Sequence, residues 1–200
     1  MPNDQLLPLP SSVHSPGAQQ ACLLVADLVD STGLAQRLPL TSYAALMAEL
    51  IQLLILHFEA YGGQVLQHQG DAVVCLWPLA QTPQAVQAGL GAHQRAARLQ
   101  LAEVLGEPLA LRVGLAAGEV IRGMVGGIPS AYGLPVNLAA RVAAAAQPGQ
   151  TVVCDTVRAL AGDAVLMERE VTGLRGFVAP CGLSQVRANT GGAAFQMKTG

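Results

Sequence analysis

GGQVLQHQGDAVVCLW (62–77) is the stretch whose reading decides the fold. Gly62-Gly63 stops a preceding helical pattern. Two strand-length runs follow at 64–69 and 71–77, with Gly70 at the turn between them, so the segment predicts a hairpin. Upstream, residues 21–27 in ACLLVADLVDST (21–32) form a continuous apolar run that suits a buried strand. Asp30, Ser31 and Thr32 are helix-starting residues. The helical pattern after them reaches about Tyr61, interrupted near Pro39 and restarted at Thr41 and Ser42. Downstream, residues 83–105 are rich in Ala, Leu and Gln and predict a helix, opened by Pro83 and stopped by Gly106. Leu109–Ala116 and Glu119–Val125 flank Ala117-Gly118 and predict a second hairpin. A glycine-containing loop (126–134) leads to a helix at about 136–146, ended by Pro148-Gly149. A strand at 151–154, a short helix and a strand near 183–187 complete the order. That order predicts an α+β sandwich of ferredoxin-like, palm-like type. Its central sheet is mainly antiparallel, with the helices segregated to one face.

The bulk properties narrow the classes of function. Two hundred residues suit one domain. Residues 1–19, rich in Pro, Ser, Gln and Asn, read as a flexible leader, 20–187 as the folded unit and 188–200 as a loose tail. A hydrophobic fraction of 52% with 12% charged residues supports a well-buried core. A net charge of −2 offers no basic surface for a nucleic-acid backbone, and no motif of a nucleic-acid reader stands out. The only lysine is Lys198, in the tail, so the folded unit has no lysine to serve in catalysis or recognition. Cys22, Cys75, Cys154 and Cys181 are widely spaced in apolar runs and read as buried free thiols of a reducing compartment. No secretory signal is evident. The most apolar run, Leu46 to Phe58, is broken by Glu49 and Gln52 and is too short to span a bilayer. These features predict a cytoplasmic chain with neither membrane nor nucleic-acid partners.

Four polar residues stand in apolar contexts. Asp27 ends a buried strand, where a carboxylate is costly unless something pairs with it. Asp71 follows the hairpin glycine, 44 residues later, and the topology can bring the two together. Two carboxylates at close range repel, and a cation resolves the conflict. The alternative is local: Asp27 caps the next helix and Asp71 is a turn aspartate. Asn137 and Arg141, in YGLPVNLAARV (132–142), are four apart and project from one face of the predicted helix. An arginine among Val, Leu and Ala calls for an anionic partner; the alternative is a surface Arg with an Asn near the helix start.

ADLxxST, then GGxVxxxxGDAxxxxW, then VNLAAR preceded by Gly133 resemble the catalytic domain of the class III nucleotidyl cyclases, over about residues 20–187. The resemblance implies conversion of a purine nucleoside triphosphate to the 3′,5′-cyclic monophosphate and pyrophosphate. It implies two divalent ions, Mg²⁺ or Mn²⁺, held by Asp27, Asp71 and the backbone carbonyl of Leu28. Ser31, Thr32 and Arg112 would meet the phosphates, Asn137 would orient the ribose and Arg141 would stabilise the α-phosphate. Gln67 and Ser130 would read the base. Adenylyl cyclases typically carry Lys and Asp or Thr at those two positions and guanylyl cyclases commonly Glu and Cys, so this chain matches neither pair. Gln and Ser can donate or accept, which implies relaxed purine choice with ATP favoured and GTP possible. The resemblance further implies a head-to-tail homodimer in which each pocket takes Asp27 and Asp71 from one chain and Asn137 and Arg141 from the other. The loop at 126–135 would cross to the partner. One departure is Asp30, where the family usually has a small residue, often Gly; an extra carboxylate there is unfavourable unless it points away or caps the helix. His68 is expected to face solvent, and Tyr132 either to stack near the base or to pack at an interface. The alternative function is a catalytically degenerate module that binds nucleotide or dimerises. A diguanylate cyclase would need a GGDEF-like turn, whereas Gly62-Gly63 is followed by Gln64-Val65.

Overall fold

The computed structural model describes residues 17–187, apart from residue 163. Residues 1–16 of the expected leader and all of the expected tail lie outside the described residues, and Gln19 already belongs to the first strand.

β1 (Gln19–Leu28) is the centre of the sheet. It pairs antiparallel with β3 (Ala72–Pro78) on one side and β4 (Leu111–Val125) on the other. Being covered on both faces, it reads as an unbroken apolar run, with Cys22, Leu23, Leu24 and Ala26 fully buried. β2 (Gln64–Gln69) forms the expected hairpin with β3, and Gly70, at φ 62°, takes the first position of its two-residue turn. The sheet continues beyond β4 through β6 (Thr151–Cys154), β8 (Cys181–Arg187) and β7 (Val165–Thr172). Only the β4–β6 pairing is parallel among the described strands.

The helices arise where expected, with changes at the breaks. α1 (Ser31–Arg37) and α2 (Leu40–Ala60) are separated at Pro39, which lacks the N–H a continuous helix needs. The predicted helix at 83–105 is two helices, α3 (Thr82–Ala97) and α4 (Gln100–Leu105). The chain breaks at Leu99, which turns extended to bury its side chain. α5 (Leu134–Ala145) and α6 (Asp155–Leu160) complete the set.

α2 is long and apolar enough to cross a membrane by length and composition, at 21 residues and a hydropathy of 1.4, which extends the shorter run read from sequence. Here its buried stripe of Leu46, Leu50, Leu54 and Phe58, at four-residue spacing, belongs to the core, while Glu49 and Gln52 stand exposed.

Two expectations are corrected. Helices flank the sheet on both faces rather than one. Val113 of β4 packs towards Gly89 of α3, whereas a Cβ on its neighbour Gly114 would strike the backbone of α5. Successive strand residues face opposite ways, so α3 and α5 lie on opposite faces. Nor do Leu109–Ala116 and Glu119–Val125 form a hairpin: β4 runs straight through Ala117-Gly118, held in line by pairing with Ala21 and Cys22 of β1. The turn falls later, at Gly126-Gly127, with φ of 58° and 81°, and β5 (Ile128–Tyr132) returns along β4. Positive φ at both central residues is what a tight two-residue hairpin needs and what glycine supplies without steric cost.

Candidate active site

The β1–β4 and β1–β3 registers assemble one cluster. Asp27 stands opposite Arg112 of β4 and opposite Ala72 of β3, one residue after the hairpin tip that carries Asp71. Leu28 N–H donates to the carbonyl of Asp71 at 3.3 Å, which clamps that tip against the end of β1. Arg112 is two residues from Gly114, so by strand alternation Asp27 and Arg112 share the face on which α5 packs.

Electrostatics follow from this placement. Burial holds the Asp27 carboxyl above its ordinary range; the negative charge of Asp71 pushes the same way, and Arg112 opposes both. Arg112 Nε is buried without a hydrogen-bond partner. An orphaned guanidinium N–H beside a pair of carboxylates is costly unless an anion meets it.

The donor set suits a hard divalent cation. Asp27 and Asp71 supply carboxylate oxygens and Leu28 a backbone carbonyl, the ligand type that Mg²⁺ and Mn²⁺ prefer. No group of three His, Cys, Asp or Glu side chains converges among the described residues. The protein's share of coordination would therefore be small, as in sites completed by water and substrate phosphate.

Ser31 and Thr32 open α1, directly after Asp30. Asp30 has φ 56°, the only positive φ outside glycine among the described residues. That conformation gives a physical reason for a small residue at this position. Asp30 makes no side-chain cap bond; it pairs with Arg37 instead.

A second cluster forms where β2, β3, β5 and the start of α5 meet. Gln67, Ser130 and Asn137 line one pocket of about 260 Å³, together with Val74, Tyr132 and Val136. A register shift between Val65 and Gln67 leaves Leu66 as an extra, buried residue, and this bulge sets the direction of Gln67. Ser130 is half-buried on β5, its hydroxyl donating to Ile128 O at 3.4 Å. Asn137 and Arg141 lie one turn apart on α5, and both are exposed. Burial therefore does not demand an anionic partner for Arg141, contrary to the reading of its apolar neighbours. His68 is exposed, as expected, and Tyr132, 59% exposed, lines the Gln67 pocket.

Asp27, Asp71 and Arg112 thus form one group, and Gln67, Ser130 and Asn137 another. No hydrogen bond or ion pair joins the two groups among the described residues. Sequence reasoning missed the strand β5 that carries Ser130; the Gly-Gly pair at 126–127 was the signal for it.

Comparison with known proteins decides the family. A model of the adenylate and guanylate cyclase catalytic domain matches residues 13–179. This chain belongs to that family. Among curated proteins, the cyclase domain is 34% identical over 159 residues to the uncharacterized protein Rv2212 of Mycobacterium tuberculosis and to Mb2235 of Mycobacterium bovis. The alignment covers 78% of this chain and 38% of each relative, so the chain spans well under half of their length. Among solved structures, the guanylyl cyclase Cya2 shares the fold at a TM-score of 0.82 and 19% identity, covering 91% of this chain and 98% of that one. The adenylyl cyclase CyaB from P. aeruginosa gives 0.80 at 20% identity over 86% and 95%. The guanylate cyclase domain of RhGC from Catenaria anguillulae, in complex with GTP, gives 0.78 at 19% identity over 86% and 98%. The class III cyclase fold, with its open, mostly antiparallel sheet and flanking helices, is therefore the fold of this chain.

Proposed function

We propose that this chain converts a purine nucleoside triphosphate, ATP before GTP, to its 3′,5′-cyclic monophosphate and pyrophosphate, at sites shared between two copies. The observation that carries the reading is the β1–β4 register. It sets Asp27 beside Arg112, whose buried Nε lacks a partner, with the Asp71 charge close enough to raise the Asp27 carboxyl. Carboxylates for cations and an unmet guanidinium for anions are the two things a metal–triphosphate complex requires.

Asp27, Asp71 and the Leu28 carbonyl would hold two divalent cations, which when bound acidify the substrate's 3′-hydroxyl and offset polyphosphate charge. Arg112 Nε binds an oxygen of the terminal phosphates. Ser31 and Thr32 place first-turn N–H groups of α1 towards the same charge. From the other copy, Asn137 orients the ribose and Arg141 stabilises the charge that grows on the α-phosphate as its bond to the leaving pyrophosphate breaks. Gln67 and Ser130 face the base with groups that donate or accept, so adenine and guanine are both served. No protein nucleophile is used; burial pushes the Cys22 and Cys75 thiols up to about 12, which leaves them inert. The compartment in this proposal is the cytoplasm, the expectation drawn from four widely spaced cysteines in apolar runs.

What supports a second copy is the surface next to the base pocket. Ile121, Val125, Ile128 and Tyr132 are each about half exposed or more and share one face of the β4–β5 hairpin, with Leu134 exposed at its exit. A contiguous apolar ridge of that kind is what a partner covers. That no hydrogen bond or ion pair joins the two residue groups among the described residues fits a pocket completed from outside.

A degenerate module that only binds nucleotide or dimerises is the second reading, favoured by the unusual pair Gln67 and Ser130. Turnover separates the two. The chain is incubated with ATP, GTP, CTP and UTP, each with Mg²⁺ or Mn²⁺, and pyrophosphate and cyclic nucleotide are quantified. Metal-dependent, equimolar release of both from a purine triphosphate is expected. Binding without release would establish the module, and a strong pyrimidine preference would overturn the base assignment.

A further inference from the structure

Asp30 lies between Asp27 and the first turn of α1, in a left-handed conformation that Asp and Asn tolerate better than other non-glycine residues. Its carboxylate lies over Gly33, where an added Cβ would collide with it. It accepts a hydrogen bond from Nη1 of Arg37 at 3.0 Å. Arg37 is braced from its other edge: Nε and Nη2 donate to the two oxygens of Glu107 at 3.3 and 3.0 Å. Glu107, in the connection between α4 and β4, is only 18% exposed. A two-point fork fixes the guanidinium plane in a way that a single surface ion pair does not. Nη1 is thereby presented to Asp30.

We propose that Arg37, anchored by Glu107, is a positioning residue that holds the Asp30 carboxylate along α1 and keeps its charge out of the phosphate-binding loop. The inference rests on triphosphate binding at residues 27–32, as proposed above. A carboxylate swinging into that loop would meet the most highly charged part of the substrate, and like charges at close range repel. Aspartate then serves where the left-handed backbone otherwise favours glycine, because the loop's own helix carries the cation that restrains it. Arg37 touches no substrate in this account and acts only through Asp30.

The test compares Arg37→Ala in the native background with Arg37→Ala added to Asp30→Asn, an uncharged residue of the same shape that also tolerates positive φ. KM and kcat for the preferred triphosphate are measured at low and high salt, with melting curves to establish folding. In the native background Arg37→Ala is expected to raise KM about three- to tenfold with little change in kcat. The rise should shrink in about 0.5 M salt. With Asp30→Asn present, the same substitution should change KM by less than about twofold. Glu107→Gln, which loosens the fork and keeps its volume, should raise KM in the same direction by less, and it carries the test if Arg37→Ala does not fold. Equal rises in the two backgrounds, or no rise in the native one, would overturn the inference while leaving the cyclase reading intact. Absence of turnover in the unaltered chain would remove both.

Discussion

Gly114→Ala tests whether the sheet holds α5 at the distance the chemistry requires. Gly114 is buried in β4, opposite Val25 of β1 and Val152 of β6. A Cβ there would lie 2.6 Å from the carbonyl oxygen of Ala139 and 2.6 Å from the Cα of Ala143, whereas ordinary contact begins at 3.4 Å. Both atoms are helix backbone, so no side chain can swing aside. The helix must retreat by at least about 0.8 Å, the difference between those distances, or the strand must bend. Overpacking of this kind costs about 1–3 kcal/mol. For a chain of this size that is a fall in Tm of about 2–12 °C. Ala139 lies between Asn137 and Arg141, so the same retreat displaces the amide and the guanidinium. Misplacement near 1 Å is enough to cost on the order of a hundredfold in turnover. Thermal unfolding and steady-state turnover are measured on the same preparations, and a modest loss of stability with a much larger loss of kcat is expected. A Gly114→Ala protein that melts and turns over like the unaltered chain would refute the reasoning.

Three further predictions follow from the site and the core. In metal-free buffer Asp27→Asn should raise Tm at neutral pH. An acid whose folded pKa is raised binds its proton more readily when folded, so its ionised form opposes folding once pH passes above the carboxylate range. The same substitution should abolish stabilisation by Mg²⁺ or Mn²⁺, which for the unaltered chain should reach about 2.7 kcal/mol at a hundredfold excess over Kd; equal metal-induced shifts in the two proteins would contradict the donor set. Burial lowers the pKa of His57 and His93, opposed at His57 by its hydrogen bond to Ala88 O. The unfolded chain then takes up protons first, so stability should fall as pH drops below 6.5, by at most about 1.4 kcal/mol per pH unit for each histidine. Denaturant midpoints across that window check it, and a flat profile would place both rings in contact with solvent.

What sequence could reveal followed from how local each signal is. β1, the β2–β3 hairpin and the helix bearing Asn137 and Arg141 were legible because apolar runs and glycine punctuation are short-range features. The meeting of Asp27 with Asp71 followed from the hairpin once β1 was placed. The straight passage of β4 through Ala117-Gly118 was not legible. Gly118 looks like a turn residue in isolation, and only pairing with β1 keeps the strand extended. β7 was hidden by its run Glu168-Arg169-Glu170, which lacks the apolar pattern of a buried strand. The position of α5 on the opposite face from α3 depends on which side of β4 Gly114 faces, a relation between distant segments that no local pattern carries. Asp30 is instructive in another way. The sequence marked it as a departure, while the left-handed backbone and the Arg37–Glu107 brace that make it tolerable emerge only in three dimensions.

The central claim, a pocket built from two copies, is tested most directly by mixing two inactive chains. Asp27→Ala lacks the carboxylate half of each site, and Arg141→Ala lacks the guanidinium half. In an equal mixture about half of the dimers contain one of each, and each of these keeps one intact site of two. Turnover should therefore recover to about a quarter of the unaltered level, from near zero for either chain alone. Verified mixed dimers that stay as inactive as their parents would contradict the shared site.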